Sequence, residues 1–221
     1  MNQIAASILA ADFANLGSDV SAVLKAGAHT IHFDVMDHHY VPNLSVGAMV
    51  CQSLRQYGIT AMIDVHLMVT DPASYIEPFA KAGADIVSFH PETVDNVASV
   101  VEQIRSHGMQ AGLVFNPDQT VDIPPPLLAE INMILLMSVY PGFGGQSFMP
   151  TVLEKIEKTC AWLRQHKVNH VTLAVDGGVK VDNIAQIAKA GANYFVLGSG
   201  LFNAENYHQR IAELKSAIDE I

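Results

Sequence analysis

Cysteine is scarce. Cys51 and Cys160 are all that the 221 residues contain, and neither stands in a CxxC pair or beside histidines at a metal-ligand spacing. That excludes a disulfide framework and a thiolate zinc site, and both are expected as reduced thiols. Cations are scarce too. Twelve Lys and Arg against 22 Asp and Glu give a formal net charge of −10, and the cations never cluster. The chain therefore lacks the electrostatic footprint of a nucleic-acid binder. Long apolar runs are missing as well: "MNQIAASILAADF" has no basic n-region and is cut short by Asp12, so neither a signal peptide nor a membrane span fits. A cytoplasmic protein without nucleic-acid or membrane partners is the expectation. Half of the residues are hydrophobic and 15% charged, which is a globular rather than a disordered composition.

What the chain does have is repetition. "KAGA" occurs at 25–28, 81–84 and 189–192, each time after a helical pattern and before a β-branched or aromatic run, "HTIHFDV", "DIVSFH" and "NYFVLG". Gly58 and Gly108 occupy the same point of their own units. A glycine there suits the left-handed residue that closes a helix before a strand. The spacing corresponds to units of about 27 residues, hence eight units. Strands are expected at 2–8, 29–36, 60–67, 85–90, 110–115, 132–139, 170–176 and 193–198, with helices between them. The pattern indicates a single domain over 1–221, an α/β closed parallel (β/α)8 barrel of the TIM type, with a doubly wound open sheet as the alternative. The fifth helix is the weakest expectation, because "DQTVDIPPPLLAE" carries three consecutive prolines.

Strand periodicity then sorts the polar residues. In "HTIHFDVM", His32, Asp34 and Met36 share one face while Ile31, Phe33 and Val35 share the other. The third strand repeats the device, with Asp64, His66 and Met68 set against Ile63, Val65 and Leu67. Asp176 ends the seventh strand in "TLAVDGG". A barrel-lining His is often a core residue and a strand-end Asp often a helix cap. Two imidazoles and two carboxylates meeting at the C-terminal ends of strands instead favour a divalent metal, Zn²⁺, Mn²⁺, Fe²⁺ or Co²⁺. Asp64 is placed to orient a ligand histidine, whereas His29, Asp37, His38 and His39 are expected in surface or supporting roles. "YPGFGGQSF", "DGGV" and "GSGLF" follow the last three strands. Their backbone N–H groups can cradle a phosphate without a basic side chain.

"SILAADFANLG", "HFDVMDHHYVPNLSVG", "DVHLMV", "SVYPGFGGQSF" and "VDGGV" together resemble, in order and spacing, the signatures of ribulose-phosphate 3-epimerases over nearly the whole chain. The resemblance implies one divalent ion per subunit, Zn²⁺ first among the candidates, on His32, Asp34, His66 and Asp176. It implies Asp34 as proton acceptor and Asp176 as donor, and an isomerase interconverting D-ribulose 5-phosphate and D-xylulose 5-phosphate in the pentose phosphate pathway. Substrate contacts carried over are Ser7, His66, Gly142, Phe143, Gly144, Gly145, Asp176, Gly177, Gly178, Gly198 and Ser199, with Met36, Met68 and Met137 lining the pocket. A homo-oligomer is also implied.

The sequence departs from the family pattern at Ala6, where Pro is common, His38, where Gly or Asn is common, Tyr140, where Asn is common, and Ala174, where Glu often precedes "VDGG". A 3-epimerase of a hexulose 6-phosphate such as D-allulose 6-phosphate would use the same residues and remains the alternative. A non-catalytic sugar-phosphate or metal-binding barrel would be expected to lack one of the paired aspartates, and an aldolase or decarboxylase barrel would commonly need a lysine that no strand end carries.

Overall fold

The computed structural model describes residues 2–219. Eight parallel strands, β1 (Gln3–Ser7), β2 (Thr30–Met36), β3 (Met62–Met68), β4 (Ile86–Phe89), β5 (Gln110–Phe115), β6 (Met133–Met137), β7 (Thr172–Asp176) and β8 (Tyr194–Leu197), close into a barrel in sequence order. Each expected strand is present, its ends displaced by two residues at most. Helices α1 (Leu16–Ala26), α2 (Ala48–Tyr57), α3 (Ala73–Ala82) and α4 (Val97–Ser106) follow the first four strands. Next come α5 (Pro125–Leu128), α6 (Val152–Gln165), α7 (Ile184–Lys189), α8 (Ser199–Phe202) and α9 (Tyr207–Asp219). The glycine of each unit closes its helix: Gly27, Gly58, Gly83, Gly108 and Gly191 all adopt positive φ. At the fifth unit the helix is reduced to one turn that starts inside the proline run, because proline is tolerated at a helix start but not further in.

Strand alternation builds two cores. Ile31, Phe33 and Val35 of β2 and Ile63, Val65 and Leu67 of β3 pack outward against Val20, Val23, Cys51, Leu54, Ile76 and Phe79 of the helices. A second cluster, with Val114, Met133, Leu135, Ala174, Tyr194 and Val196, fills the barrel lumen. Truncating a wholly buried ring such as Phe33 to Ala is worth about 3–5 kcal/mol. Both cysteines are free thiols. Cys51 belongs to the outer core, and burial pushes its thiol up to about 11, so it acts as a small hydrophobe.

The two barrel ends are built differently. At the end where strands begin, Arg55 donates to the carbonyls of Ile59, Ala61 and Gly83 and pairs with Asp85 at 2.6 Å, a contact set that ties loops together. At the opposite end the strands finish in polar residues and glycine turns. His38 there has φ 61°, a left-handed conformation that a Cβ disfavours and that Gly or Asn adopts more readily. That accounts for the residues common at this position in the family that the sequence resembles. Among the described residues no helix is long and apolar enough to cross a membrane.

Candidate active site

Register brings the polar residues together. Parallel pairing sets His32 beside Asp64, Asp34 beside His66 and Met36 beside Met68 across β2 and β3. Ser7 lies beside His32 on β1, and Met137 beside Asp176 on β7. Because side chains alternate, each inward imidazole on one strand faces an inward carboxylate on the next.

One ligand atom from each of His32, Asp34, His66 and Asp176 falls within 4.8 Å of all the others. Asp34 Oδ1 stands 3.4 Å from both His32 Nε2 and His66 Nδ1. Asp176 Oδ2 stands 3.9 Å from the same two nitrogens. These two ring nitrogens are buried and, among the described residues, have no hydrogen-bond partner. Buried polar atoms without partners are costly, and bonds of about 2.0–2.1 Å around a tetrahedral ion put ligand atoms roughly 3.3–3.4 Å apart. The residues therefore fit a divalent metal, with Asp176 drawing in slightly.

Charge in the cluster is divided unequally. Burial works against ionisation of Asp34, but His32 and His66 beside it hold it far below the ordinary carboxylate range. Burial and the neighbouring Asp34 charge raise Asp176. Burial pushes His66 down to about 4, with the His90 ring adding to the effect, so it is neutral and ready to ligate. For His32, burial opposes the charge, yet Asp64 and Asp34 overcome it and raise the group well above its ordinary value. Without an ion, then, His32 and Asp176 are the members of the cluster whose affinity for a proton is raised.

The pocket above the cluster is lined by Asp34 and Asp176 but by neither histidine ring. Ser7, Met36, Met68 and Met137 complete its floor, and Gly142, Phe143, Gly144, Gly145, Gly177, Gly178, Gly198 and Ser199 its rim. The loops after β6 and β7 are pressed together at Gly178. With φ +64°, a Cβ there would meet the Phe148 nitrogen at 2.2 Å, whereas a Cβ on Gly144 would meet only the Leu9 side chain at 3.7 Å. Ser7 is buried and donates to Asp34 Oδ2 at 2.6 Å.

A family model described as "Ribulose-phosphate 3 epimerase family" matches residues 3–202. The ribulose-phosphate 3-epimerase of Serratia marcescens is 53% identical over 206 residues, covering 93% of this chain and 98% of that one. That of Escherichia coli strain K12 is 49% identical over 218 residues, covering 99% and 96%. The chain belongs to the ribulose-phosphate 3-epimerase family. It is an enzyme of the epimerase class. Among solved structures, KGPDC from Streptococcus mutans matches 100% of this chain and 99% of its own with a TM-score of 0.71 at 14% identity, and a 3-hexulose-6-phosphate synthase matches with 0.64 at 18%; both are likenesses of fold.

Against the epimerase family pattern, the departures fall outside the cluster. Ala6 faces the outer core, and Tyr140 is half exposed in the loop after β6. Ala174 lies in the lumen beside Tyr194, whose hydroxyl donates to Asp64 Oδ2 at 3.1 Å while His32 Nδ1 meets the same oxygen at 2.8 Å. Asp64 thus orients His32, as its place on the strand suggested. Asp37 accepts from the backbone of His39, Tyr40 and Thr70 and from the Thr70 hydroxyl, clamping two loops. His38 and His39 are exposed, and His29 accepts from the Ile4 N–H at the far end of the barrel. Sequence reasoning missed Tyr194, His90 and Lys180. The inward alternation Ile86, Ser88, His90 was the available signal for the second. Lys180 is exposed and the only cation among the pocket-lining residues.

Ion binding must displace the protons on His32 and Asp176. Since both are held by raised affinity for the proton, metal affinity is expected to fall as pH falls, by about tenfold per unit for each proton displaced. Calorimetric titration of metal-free protein in buffers of different ionisation enthalpy should report proton release; pH-independent affinity between pH 5 and 8 would contradict the raised proton affinities.

Proposed function

We propose that the chain interconverts D-ribulose 5-phosphate and D-xylulose 5-phosphate by removing and returning the C3 proton. The observation that carries this reading is that two carboxylates, the buried Asp34 and the part-buried Asp176, face the pocket from strands well separated around the barrel, while the imidazoles stand behind them. A proton on a carbon next to a ketone leaves only if charge on the resulting oxygen is stabilised. A divalent ion held by His32, Asp34, His66 and Asp176, Zn²⁺ by preference for a four-ligand imidazole and carboxylate set and otherwise Fe²⁺, Mn²⁺ or Co²⁺, would supply that Lewis-acid stabilisation.

The remaining steps belong to side chains. Each aspartate commits one oxygen to the cluster, which leaves the carboxylate held firmly with proton-carrying capacity toward the pocket. Asp34 takes the proton from one face of C3 and Asp176 delivers one to the other, so that the configuration inverts. Ser7 steadies Asp34 through its second oxygen and reaches the same pocket, where a substrate hydroxyl can share it. Met36, Met68 and Met137 offer the planar intermediate an apolar cover without an exchangeable proton. At the rim, backbone N–H groups around Gly142 to Gly145, Gly177, Gly178, Gly198 and Ser199 receive the phosphate, with Lys180 as the lone side-chain cation nearby. The enzyme acts in the cytoplasm as a homo-oligomer. Large apolar side chains left exposed on one protomer, Leu44 at 71% and Met49 at 75%, support self-association.

Asn at position 34 or 176 keeps the shape but cannot carry the proton, so Asp34→Asn and Asp176→Asn should each lower kcat by about two to four orders of magnitude. Full activity in both, with metal occupancy verified, would place the proton carriers elsewhere. Turnover of D-ribulose 5-phosphate should also exceed that of D-allulose 6-phosphate; the reverse order would favour the hexulose reading.

The phosphate site gives a separate expectation. Gly178→Val collides with backbone and should sharply raise KM for the sugar phosphate, whereas Gly144→Val, whose Cβ meets only the Leu9 side chain at 3.7 Å, should raise it less. Inorganic phosphate should compete with substrate. Equal turnover of unphosphorylated D-ribulose would contradict the assignment.

A further inference from the structure

The two histidines of the cluster are backed by different devices. Behind His32 stands a wholly buried carboxylate, Asp64, in direct contact. Behind His66 stands another imidazole: His66 Nε2 and His90 Nε2 are 2.9 Å apart, both rings fully buried. On its other side His90 Nδ1, buried and without a hydrogen-bond partner among the described residues, lies 3.4 Å from Glu92 Oε1. That oxygen accepts from the Tyr40 hydroxyl at 2.7 Å and the Asn116 amide at 3.0 Å, and Asn116 donates to Tyr40 in turn at 2.8 Å. The Tyr40 ring lies 4.7 Å from the His90 ring. Neither His90 nor Glu92 lines the pocket, so neither touches the substrate.

Only one hydrogen can lie between two ring nitrogens at 2.9 Å, so the His66–His90 contact has two possible states. In one, His66 carries its hydrogen on Nε2 and gives it to His90, leaving Nδ1 with a free lone pair among the cluster atoms. In the other, His90 donates, and the hydrogen of a neutral His66 then sits on Nδ1, where it blocks ligation. The choice is made at the outer end of the chain. If His90 accepts at Nε2, its own hydrogen is on Nδ1, toward Glu92; a carboxylate oxygen there favours that state strongly, a neutral oxygen more weakly and an absent acceptor not at all.

We propose that His90 and Glu92 are positioning residues that select the metal-binding tautomer of His66, acting through an imidazole-to-carboxylate relay anchored by Tyr40 and Asn116. The inference rests on reading His32, Asp34, His66 and Asp176 as the metal site. It makes the His66 side of the cluster the adjustable one, because Glu92 is one-third exposed whereas Asp64 is fully buried. Outer partners of ligand histidines commonly set metal affinity by 10–100-fold.

The test measures zinc affinity by competition with a chromophoric chelator in the full-length chain, together with imidazole ¹⁵N–¹H correlation spectra of the zinc-loaded protein. Glu92→Gln, which retains the shape and the acceptor for Tyr40 and Asn116 but removes the charge, should weaken zinc binding by about tenfold, and His90→Phe by up to about 100-fold, with faster release in both. In the wild type the spectra should show hydrogen on Nε2 of His66 and on Nδ1 of His90. Should His90→Phe fail to fold, Glu92→Gln and the wild-type spectrum still decide. Wild-type zinc affinity in Glu92→Gln, or a hydrogen on Nε2 of His90, would overturn the relay. Absence of stoichiometric zinc binding in the wild type would instead overturn the metal site itself.

Discussion

Two carboxylates and two imidazoles buried at the mouth of an apolar barrel must neutralise one another, and the architecture of this site follows from that constraint. Isolated, Asp34 or Asp176 would be too costly to keep charged away from water. Side by side, they push apart in proton affinity, one held ionised by the histidines and the other raised by burial and by its neighbour. A divalent ion would resolve the conflict by replacing protons with one fixed charge. The barrel contributes register: β2 and β3 offer imidazole against carboxylate at two successive inward positions, and β7 brings the remaining carboxylate to the same height.

The same constraint explains how chemistry and support are separated. In the proposed reading the carboxylates that face the pocket move protons, and the groups behind the histidines fix tautomer and orientation. Asp64 and Tyr194 hold His32 from within the lumen, whereas His90, Glu92, Tyr40 and Asn116 stand behind His66 toward the loops. Phosphate recognition in that reading is left to backbone, which would let an acidic protein bind an anion. The tight packing of the β6 and β7 loops at Gly178 keeps that backbone in place.

Much of this was legible in the chain. Helix-closing glycines at a regular spacing gave eight units, and period-two alternation in "HTIHFDVM" and "IDVHLM" pointed His32, Asp34 and His66 to the axis, where the structure has them. Asp64 behind His32 followed from the same alternation. What escaped was long-range. His90 follows a strand of four residues, too short for its periodicity to stand out, and its meaning depends on Glu92 and Tyr40, which only the folded loops bring together. Tyr194 reads as an ordinary apolar lumen residue until Ala174 is seen beside it. Ser7 was read as a substrate contact, and its hydrogen bond to Asp34 depends on a residue 27 positions away. The difference between Gly144 and Gly178 is likewise invisible until the two loops are packed.

The central claim is that Asp34 and Asp176 exchange the C3 proton from opposite faces. The most direct measurement follows the early reaction of D-ribulose 5-phosphate in deuterated water by proton NMR. The account predicts D-xylulose 5-phosphate carrying deuterium at C3 from the first turnovers, no label at C1, and residual substrate that gains deuterium more slowly than product forms. Product that retains the substrate's own C3 hydrogen would contradict it, because a single base would then be carrying the proton across.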